Sequence, residues 1–528
     1  MKTLLLVYFI SAAAVSTLGL VPGALRPLAA ACGIALLAAA VRGYAKLGQH
    51  VSRELGRGWL AVWLVALIFQ LFWALFKAPL DIDGLFYHLA VILEALDKNR
   101  WGAWELKLWH ILNAPHLGEI PNLCLVSLGG SWGWRLAQLG HFSTGILGAL
   151  AIFEIARSSG ARRPSLYALA FWSAPLAVKQ MGSNYVDIAS WSSWLASAAA
   201  LMSVNARPAA ARALLSGAGA FLHAGIKASG PLTALALLPL IFLEKKQSAR
   251  ARFYIAAAAA LFVLAGMSVW MIPNFLRHGN PVYPLAADVT PAKMGIGTDF
   301  HPPAFLLSLP KPLSSVLQFV VPEPVAVYDQ SGGALGFVGI WSLFMLVLFF
   351  SRKIRTRRSQ AGARVFGRAI GFLTGAMLLY YFLMPAREIP RHGFAGHLVI
   401  MIAGLWVFER GMDTNPAAWR KARTALVIAF MLQFFYILPD RAVFRGAELS
   451  RPERVPGIIA ENLSDIITHG EPQAPGRWLH YPFVPAMRRD EPRTAVIDSK
   501  AVPLLALYWG RKFSNRVLID PSFSRWPY

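Results

Sequence analysis

Apolar stretches long enough to cross a membrane recur along the chain from Thr3 to Leu438. A helix needs about 20 consecutive, mainly apolar residues to span the hydrocarbon core of a bilayer. The pattern therefore predicts an α-helical polytopic membrane protein with about 13 transmembrane helices. Their expected bounds are about 3–21, 24–41, 58–76, 132–156, 165–181, 186–204, 210–226, 230–243, 253–273, 334–351, 367–385, 394–409 and 423–438. The segments at 210–226 and 230–243 are short, and a broken pair is the alternative there.

Lys and Arg collect in every second gap between these segments, most clearly at 42–57, 157–163, 352–368 and 410–423. Basic loops are retained in the cytoplasm, so these clusters orient the chain. The N-terminus is then inside and the C-terminus outside. A cleaved signal peptide is the alternative for residues 1–21, and it leaves the 42–57 cluster cytoplasmic as well.

The same orientation predicts three regions outside the cytoplasm. They are the loops 79–131 and 274–333 and the tail 439–528. Within the tail, strand patterns at 494–499 and 516–520 flank a helical pattern at 502–509, which predicts a small extracytoplasmic α/β domain. The expected domains are therefore two N-terminal spans with their basic loop at 1–57, a transmembrane catalytic module at 58–438, and this C-terminal domain.

Composition supports a membrane protein, because 56% of the residues are hydrophobic and only 15% are charged. A net charge of +24 is also found in proteins that bind nucleic acid. The basic clusters follow pairs of apolar segments and are not interleaved with stacking aromatics, so we expect membrane lipids and no nucleic acid as partners. The two cysteines are Cys32 and Cys124, and Cys32 lies inside a predicted span, which argues against a disulfide.

The first outer loop carries an acidic motif at the mouth of a span. Asp81 and Asp83 are two residues apart, so in extended backbone their side chains project to the same side. Apolar residues at helical spacing follow over 85–96, and this pattern predicts a helix lying in the membrane interface. Asp83 lies where a helix N-cap is expected, so capping and chemistry are both open roles for it.

Other polar residues lie at predicted extracytoplasmic ends. Asn184 and Asp187 open the span at 186–204, where a capping box is the alternative to a functional role. Arg387 and Arg391 lie in a short outer turn, against the tendency of positive charge to stay inside. Arginine binds phosphate oxygens bidentately, although snorkelling to lipid headgroups is the alternative for this pair and for Lys227.

These residues together resemble a known family. The stretches that carry the resemblance are 83–88, the polar stretch from Asn113 to Glu119, 184–187, 225–227 and 277–284. They are similar to the GT-C superfamily of integral-membrane glycosyltransferases, especially the bacterial relatives of protein mannosyltransferases and aminoarabinose transferases. The resemblance covers about 60–450. The chain departs from the family in having two extra spans before the acidic loop.

The resemblance implies a GT-C-like fold and transfer of a sugar from a polyprenyl-phosphate-linked donor. The acceptor, a lipid, glycan or protein, would lie on the periplasmic face of the bacterial inner membrane. A lipid phosphate is a good leaving group, so transfer needs a general base and cations for the departing phosphate. The expected catalytic residues are Asp83, Asp81 and Asp187; the phosphate-binding ones are Lys227, Arg387, Arg391 and Arg277; and the substrate-binding ones are Tyr87, His88, Glu119, Asn184 and His392.

This chemistry requires no cofactor, although Asp81, Asp83 and Asp187 would suit a divalent cation if they converge. A transporter or lipid flippase is the alternative class, as is a glycan polymerase or ligase. The spans show no evident inverted repeat, and polar residues collect on one face of the membrane instead of at its midplane. Both features favour the transferase.

Overall fold

The structure is a computed structural model that describes residues 1–76, 84–102, 104, 114–129, 133–203, 208–241, 247–283, 336–350, 394–414, 416–437, 460–461, 464, 494–498 and 516–520. The first half contains the helices α1 (Lys2–Thr17), α2 (Leu25–Leu55), α3 (Arg57–Phe76), α4 (Leu89–Asp97), α5 (Ile120–Gly129), α6 (Gly133–Leu136), α7 (Leu139–Ser158), α8 (Pro164–Trp172), α9 (Pro175–Met181), α10 (Asp187–Met202) and α11 (Ala209–Ile226). They are followed by α12 (Gly230–Leu235), α13 (Ala249–His278), α14 (Gly336–Phe350), α15 (Phe394–Thr414) and α16 (Pro416–Ile437).

Six helical stretches of the described part are long and apolar enough to cross a membrane. They are Lys2–Leu20, Leu25–Leu55, Arg57–Phe76, Leu139–Ser158, Ala209–Ile226 and Ala249–His278. Each coincides with a span expected from the sequence, so the protein is an integral membrane protein. The total of about 13 stays a prediction, and the expected span at 367–385 lies outside the described residues.

The helices form a bundle with a buried centre. Within α7, 89% of the most apolar window is buried, against 24% of the corresponding window of α3. α7 packs against α10, and α10 packs against α11, which in turn contacts α1 and α13. α14, α15 and α16 pack on one another, and through α8, α9 and α10 they join the rest. α3 and α13 therefore have outward faces for lipid.

The prediction of a loop at 42–57 is wrong, because α2 continues through most of this range. α2 has 31 residues, which is about 46 Å at a rise of 1.5 Å per residue and more than a bilayer core requires. It ends at Gly56, which takes a φ of +96° that favours glycine. Arg42, Lys46 and Arg53 therefore lie on α2 itself, and Arg57 begins α3.

The expected single span at 165–181 is broken into α8 and α9. The break falls before Pro175, whose ring prevents the preceding residues from continuing a regular helix. Gln433 of α16 satisfies the backbone there: its Nε2 donates to Ser173 O at 2.6 Å, and its Oε1 accepts from Val338 N at 2.9 Å. One buried amide thus supports the break and the start of α14.

The segment at 230–243 is also broken, as the alternative interpretation allowed. α12 ends at Leu235, and a separate 3₁₀ turn covers Leu238–Ile241. α11, by contrast, is an intact helix of 18 residues. In the C-terminal region, strands β1 (Thr494–Asp498) and β2 (Arg516–Asp520) form a parallel pair with Val496 opposite Leu518. The two strands are confirmed; the helix at 502–509 and the extent of the domain stay predictions.

Small residues let α11 and α13 approach closely. A Cβ at Gly266 would lie 2.3 Å from Phe221 O, so the two backbones touch there. We expect Gly266→Ala to destabilise the protein by about 1–3 kcal/mol, because the backbone itself would have to move. Thermal unfolding in detergent measures this.

Gly58→Ala is the matched control for that experiment. Gly58 lies in α3 with nothing within 4 Å of its added Cβ, so this variant should be neutral or slightly stabilising. Equal melting temperatures for Gly266→Ala and Gly58→Ala would contradict the close approach.

Candidate functional site

The segment after the acidic motif is enclosed by protein. A π-helical turn covers Gly84–His88 and leads directly into α4. All residues from Leu89 to Ala95 are buried, including the charged Glu94. The helix predicted over 85–96 is confirmed by α4, although α5 and α2 pack against it and bury it. Its position in the membrane interface stays a prediction. His88 precedes α4 and makes no side-chain capping bond.

Glu119 lies at the centre of a buried polar cluster. His88 Nδ1 is 2.7 Å from Glu119 Oε1, and His116 Nδ1 is 3.4 Å from the same oxygen. An ionised carboxylate only accepts hydrogen bonds, so the imidazole Nδ1–H groups are the donors. The ring of Tyr87 lies beside that of His88, with centroids 4.0 Å apart and a tilt of 41° between the two planes. Three predicted substrate-binding residues, Tyr87, His88 and Glu119, are thus brought together.

The pKa of Glu119 reflects two opposing effects. Burial acts to raise it, but the charge of His116 and the hydrogen bonds from His116 and His88 outweigh burial and lower the pKa from 4.5 to about 2. The carboxylate is therefore ionised at neutral pH. Its second oxygen, Oε2, is buried and has no hydrogen-bond partner among the described residues.

His141 of α7 joins the loop of Glu119 to the segment before α10. It is fully buried, with Nε2 3.0 Å from Gly118 O and Nδ1 2.9 Å from Ser183 O. Asn122 adds a second link, because its Nδ2 donates to Asn184 Oδ1 at 3.1 Å. Neither His141 nor Asn122 was predicted from the sequence as a site residue. A histidine near the end of an apolar span was the available signal, since polar residues there require partners.

Two further bonds tie the Glu119 loop to its neighbours. Tyr8 of α1 donates from its hydroxyl to Leu117 O at 3.2 Å, and Leu117 N donates to Gly225 O at 3.0 Å. A Cβ at Gly118 would lie 2.6 Å from Val186, so the loop passes directly over the start of α10. The stretches 114–119, 183–187 and 225–227 therefore meet in one place.

Asp187 and Lys227 form an ion pair in this region. Lys227 Nζ contacts Asp187 Oδ1, with 17% of the lysine side chain exposed and 5% of the aspartate. The capping alternative for Asp187 and Asn184 is wrong, because Val186 is the N-cap of α10 and no side chain caps it. The pair unites a predicted catalytic residue with a predicted phosphate-binding residue.

We call this region the site end of the bundle: Tyr87, His88, His116, Glu119, Asn184, Asp187 and Lys227. Arg277 lies exposed in the last turn of α13. That helix ends at Gly279, with φ of +66°, and Tyr283 folds back to stack on His278. The remaining predicted residues lie outside the described part: Asp81, Asp83, Arg387, Arg391 and His392.

The described residues hold no group of three His, Cys, Asp or Glu side chains arranged for a metal ion. Of the three aspartates that the sequence offered for a divalent cation, Asp187 is described, and it pairs with Lys227. Asp81 and Asp83 lie outside the described part, so a metal site there stays a prediction.

Acid should weaken the contribution of Glu119 to stability. Its folded-state pKa of about 2 lies below the ordinary value of 4.5, so the stabilisation is present above about pH 4.5 and is lost as pH falls towards about 2. We expect the melting temperature of the wild type to exceed that of Glu119→Gln at pH 6, with the difference shrinking at pH 3. Thermal unfolding in detergent at both pH values measures it.

Glu154→Gln is the control, because Glu154 pairs with Arg157 at 2.7 Å on the surface of the same bundle. The pH dependence of this variant should follow that of the wild type. A difference between wild type and Glu119→Gln that is the same at pH 3 and pH 6 would contradict an ionised, stabilising Glu119.

No protein-family model and no curated protein matches the sequence. Among solved structures, the crystal structure of ArnT from Cupriavidus metallidurans in the apo state aligns with a TM-score of 0.50 at 14% identity, covering 88% of this chain and 85% of ArnT. The crystal structure of the same ArnT bound to undecaprenyl phosphate aligns with a TM-score of 0.48 at 14% identity, covering 88% and 86%. The chain thus shares the overall fold of this ArnT.

Proposed function

We propose that a chain with this fold and this site end is a membrane glycosyltransferase. It moves a sugar from a polyprenyl-phosphate-linked donor to a lipid, glycan or protein acceptor. The observation that carries the proposal is the meeting of three motif-bearing stretches, 114–119, 183–187 and 225–227, at one end of the bundle. The ArnT-like fold of the chain supports the proposal as well.

The reaction breaks the bond between the sugar and the lipid phosphate and joins the sugar to an acceptor hydroxyl. The phosphate leaves as an anion, so no acid is needed at the leaving oxygen. The acceptor proton needs a base, and we assign this role to Asp83, with Asp81 as the second candidate. Support comes from the π-helical turn Gly84–His88, which follows Asp83 directly and ends at His88 beside Glu119.

Lys227 is the proposed cation for the donor phosphate. In the structure it pairs with Asp187, and its side chain is 17% exposed, so a phosphate can approach from the open side. A lysine ammonium has three donors and can hold a carboxylate and a phosphate oxygen together. Asp187 then aligns Lys227 instead of acting on the substrate itself. Arg387, Arg391 and Arg277 are further candidates for the phosphate.

The Glu119 cluster is proposed to orient the acceptor. A carboxylate that accepts from Nδ1–H fixes the tautomer of a neutral imidazole and leaves Nε2 as an acceptor. His88 can in this way receive a hydrogen bond from a sugar hydroxyl beside Tyr87. Asn184 and His392 complete the proposed substrate contacts.

The basic ends of the helices support a periplasmic site in the bacterial inner membrane. One cavity lies at the end of the bundle where α2 ends and α8 begins. It is lined by Arg163 and Arg423 and by Glu54, which come from three of the sequence ranges rich in Lys and Arg. His141, near the start of α7, belongs to the site end, whereas Arg157 in its last turn belongs to the basic end. If the basic end is cytoplasmic, the site end faces the periplasm.

A donor panel tests the function. We would purify the protein in lipid nanodiscs and supply polyprenyl-phosphate sugars or nucleotide sugars with lipid A, glycan and peptide acceptors. Release of polyprenyl phosphate together with a glycosylated acceptor is expected from the lipid-linked donors alone. Transfer from nucleotide sugars, or transbilayer movement of the intact donor without bond cleavage, would contradict the proposal and favour another enzyme or a flippase.

A further inference from the structure

The basic end of the bundle contains a cavity that the proposed reaction does not use. Its volume is about 110 Å³, and α2, α3, α8, α15 and α16 form its walls. The lining that matters here is Glu54, Trp59, Arg163, Phe408, Arg423 and Leu426. Charge and apolar surface therefore occur side by side, at the end of the helices that carries the basic clusters.

The carboxylates in and beside this cavity already accept hydrogen bonds from the protein. Glu54 Oε2 accepts from Ser165 N at 2.9 Å. Glu409, which follows Phe408, accepts from Arg162 N and Arg163 N at 3.2 and 3.0 Å and from Tyr167 Oη at 3.1 Å. Both carboxylates thus satisfy backbone donors at the start of α8, which would otherwise be unpaired.

The two arginines at the cavity are not used in this way. Among the described residues, no hydrogen bond or ion pair joins the guanidinium groups of Arg163 and Arg423 to an acceptor. Arg163 is half-buried and Arg423 is exposed, so both can reach a ligand that enters from the membrane surface. Two guanidinium groups and one carboxylate, that of Glu54, line the cavity, so the lining carries one excess positive charge. Arg163 also lies within electrostatic reach of Glu409.

We propose that this cavity binds the phosphate headgroup of an anionic phospholipid. Two arginines can hold phosphate oxygens with bidentate, charge-assisted hydrogen bonds. Trp59, Phe408 and Leu426 supply the apolar contact that the glycerol and upper acyl chains require. Basic pockets between transmembrane helices at the cytoplasmic side are suited to such lipids. The site lies at the opposite end from the proposed catalytic residues and does not depend on their assignment.

A lipid-binding experiment on the full chain tests this site. Delipidated protein in detergent would be titrated with phosphatidylglycerol, phosphatidylcholine or inorganic phosphate, following the melting temperature and, by native mass spectrometry, the number of lipids retained. We expect phosphatidylglycerol alone to stabilise the wild type. Arg163→Gln and Arg423→Gln should each weaken its binding about tenfold.

Arg420→Gln/Lys421→Gln is the matched control, because it removes two exposed positive charges from the same end of α16 without touching the cavity lining. It should retain phosphatidylglycerol as the wild type does. Equal lipid retention by Arg163→Gln/Arg423→Gln and the wild type would overturn the proposal, and so would an equal loss in the control. Full stabilisation by inorganic phosphate alone would overturn the assignment to a lipid.

Discussion

Asp83→Asn is expected to reduce sugar transfer by about 100- to 10,000-fold, the usual effect of removing a general base. The amide keeps the size of the carboxylate but cannot take the acceptor proton. Binding of the donor should persist, because the phosphate is assigned to Lys227 and the arginines. Turnover with the preferred polyprenyl-phosphate sugar, and the shift in melting temperature caused by that donor, measure the two properties separately.

Asp97→Asn provides the control for that substitution. Asp97 is the last residue of α4, thirteen positions after the π-helical turn begins, and its side chain is exposed. The control should retain wild-type turnover. Unchanged turnover in Asp83→Asn would remove Asp83 as the base and transfer the role to Asp81. Loss of donor binding in Asp83→Asn would instead assign it to substrate binding.

Substitutions of the Asp187–Lys227 pair should affect the stability of the protein and its activity differently. Asp187→Asn or Lys227→Met leaves one charge without its partner in a largely buried place, and we expect each to cost about 3 kcal/mol of unfolding free energy. The double variant removes both charges and should recover most of that loss. Thermal unfolding of the four proteins gives the coupling between the two residues.

Turnover measurements distinguish an Asp187–Lys227 pair that only stabilises the fold from one in which Lys227 binds the donor phosphate. If Lys227 holds the donor phosphate, the double variant should remain inactive, or require a much higher donor concentration, although its stability has returned. Lys227→Arg should retain partial activity, because the positive charge persists. Wild-type turnover in Asp187→Asn/Lys227→Met would show that the pair only stabilises the fold.

Several helices could be predicted closely from the sequence. The spans expected at 58–76 and 210–226 correspond to Arg57–Phe76 and Ala209–Ile226. Apolar runs with abrupt polar ends are sufficient for this, because the bilayer selects length and hydrophobicity. The break at Pro175 could have been anticipated from the proline itself, whereas the extension of α2 to Leu55 could not be read from hydrophobicity, since that extension is polar.

The candidate site was predicted as separate pieces. Motifs in separate parts of the sequence predicted five of its residues, and the structure places them at one end of the bundle. They are His88, Glu119, Asn184, Asp187 and Lys227. What joins those pieces was not foreseen. His141 contacts two of the stretches through their backbone carbonyls, and a backbone carbonyl leaves no signature in a sequence.

The sequence by itself determined that this is a membrane protein, where its main spans lie, and which ends of them carry positive charge. Those properties depend on the composition of single segments and on how favourably each segment partitions into the bilayer. Only the tertiary structure decided which side chains meet: Asp187 with Lys227, His88 with Glu119, and Gln433 with Ser173, 260 residues away. Such contacts depend on how whole helices pack, because a buried polar group takes whichever partner that packing brings within hydrogen-bonding distance.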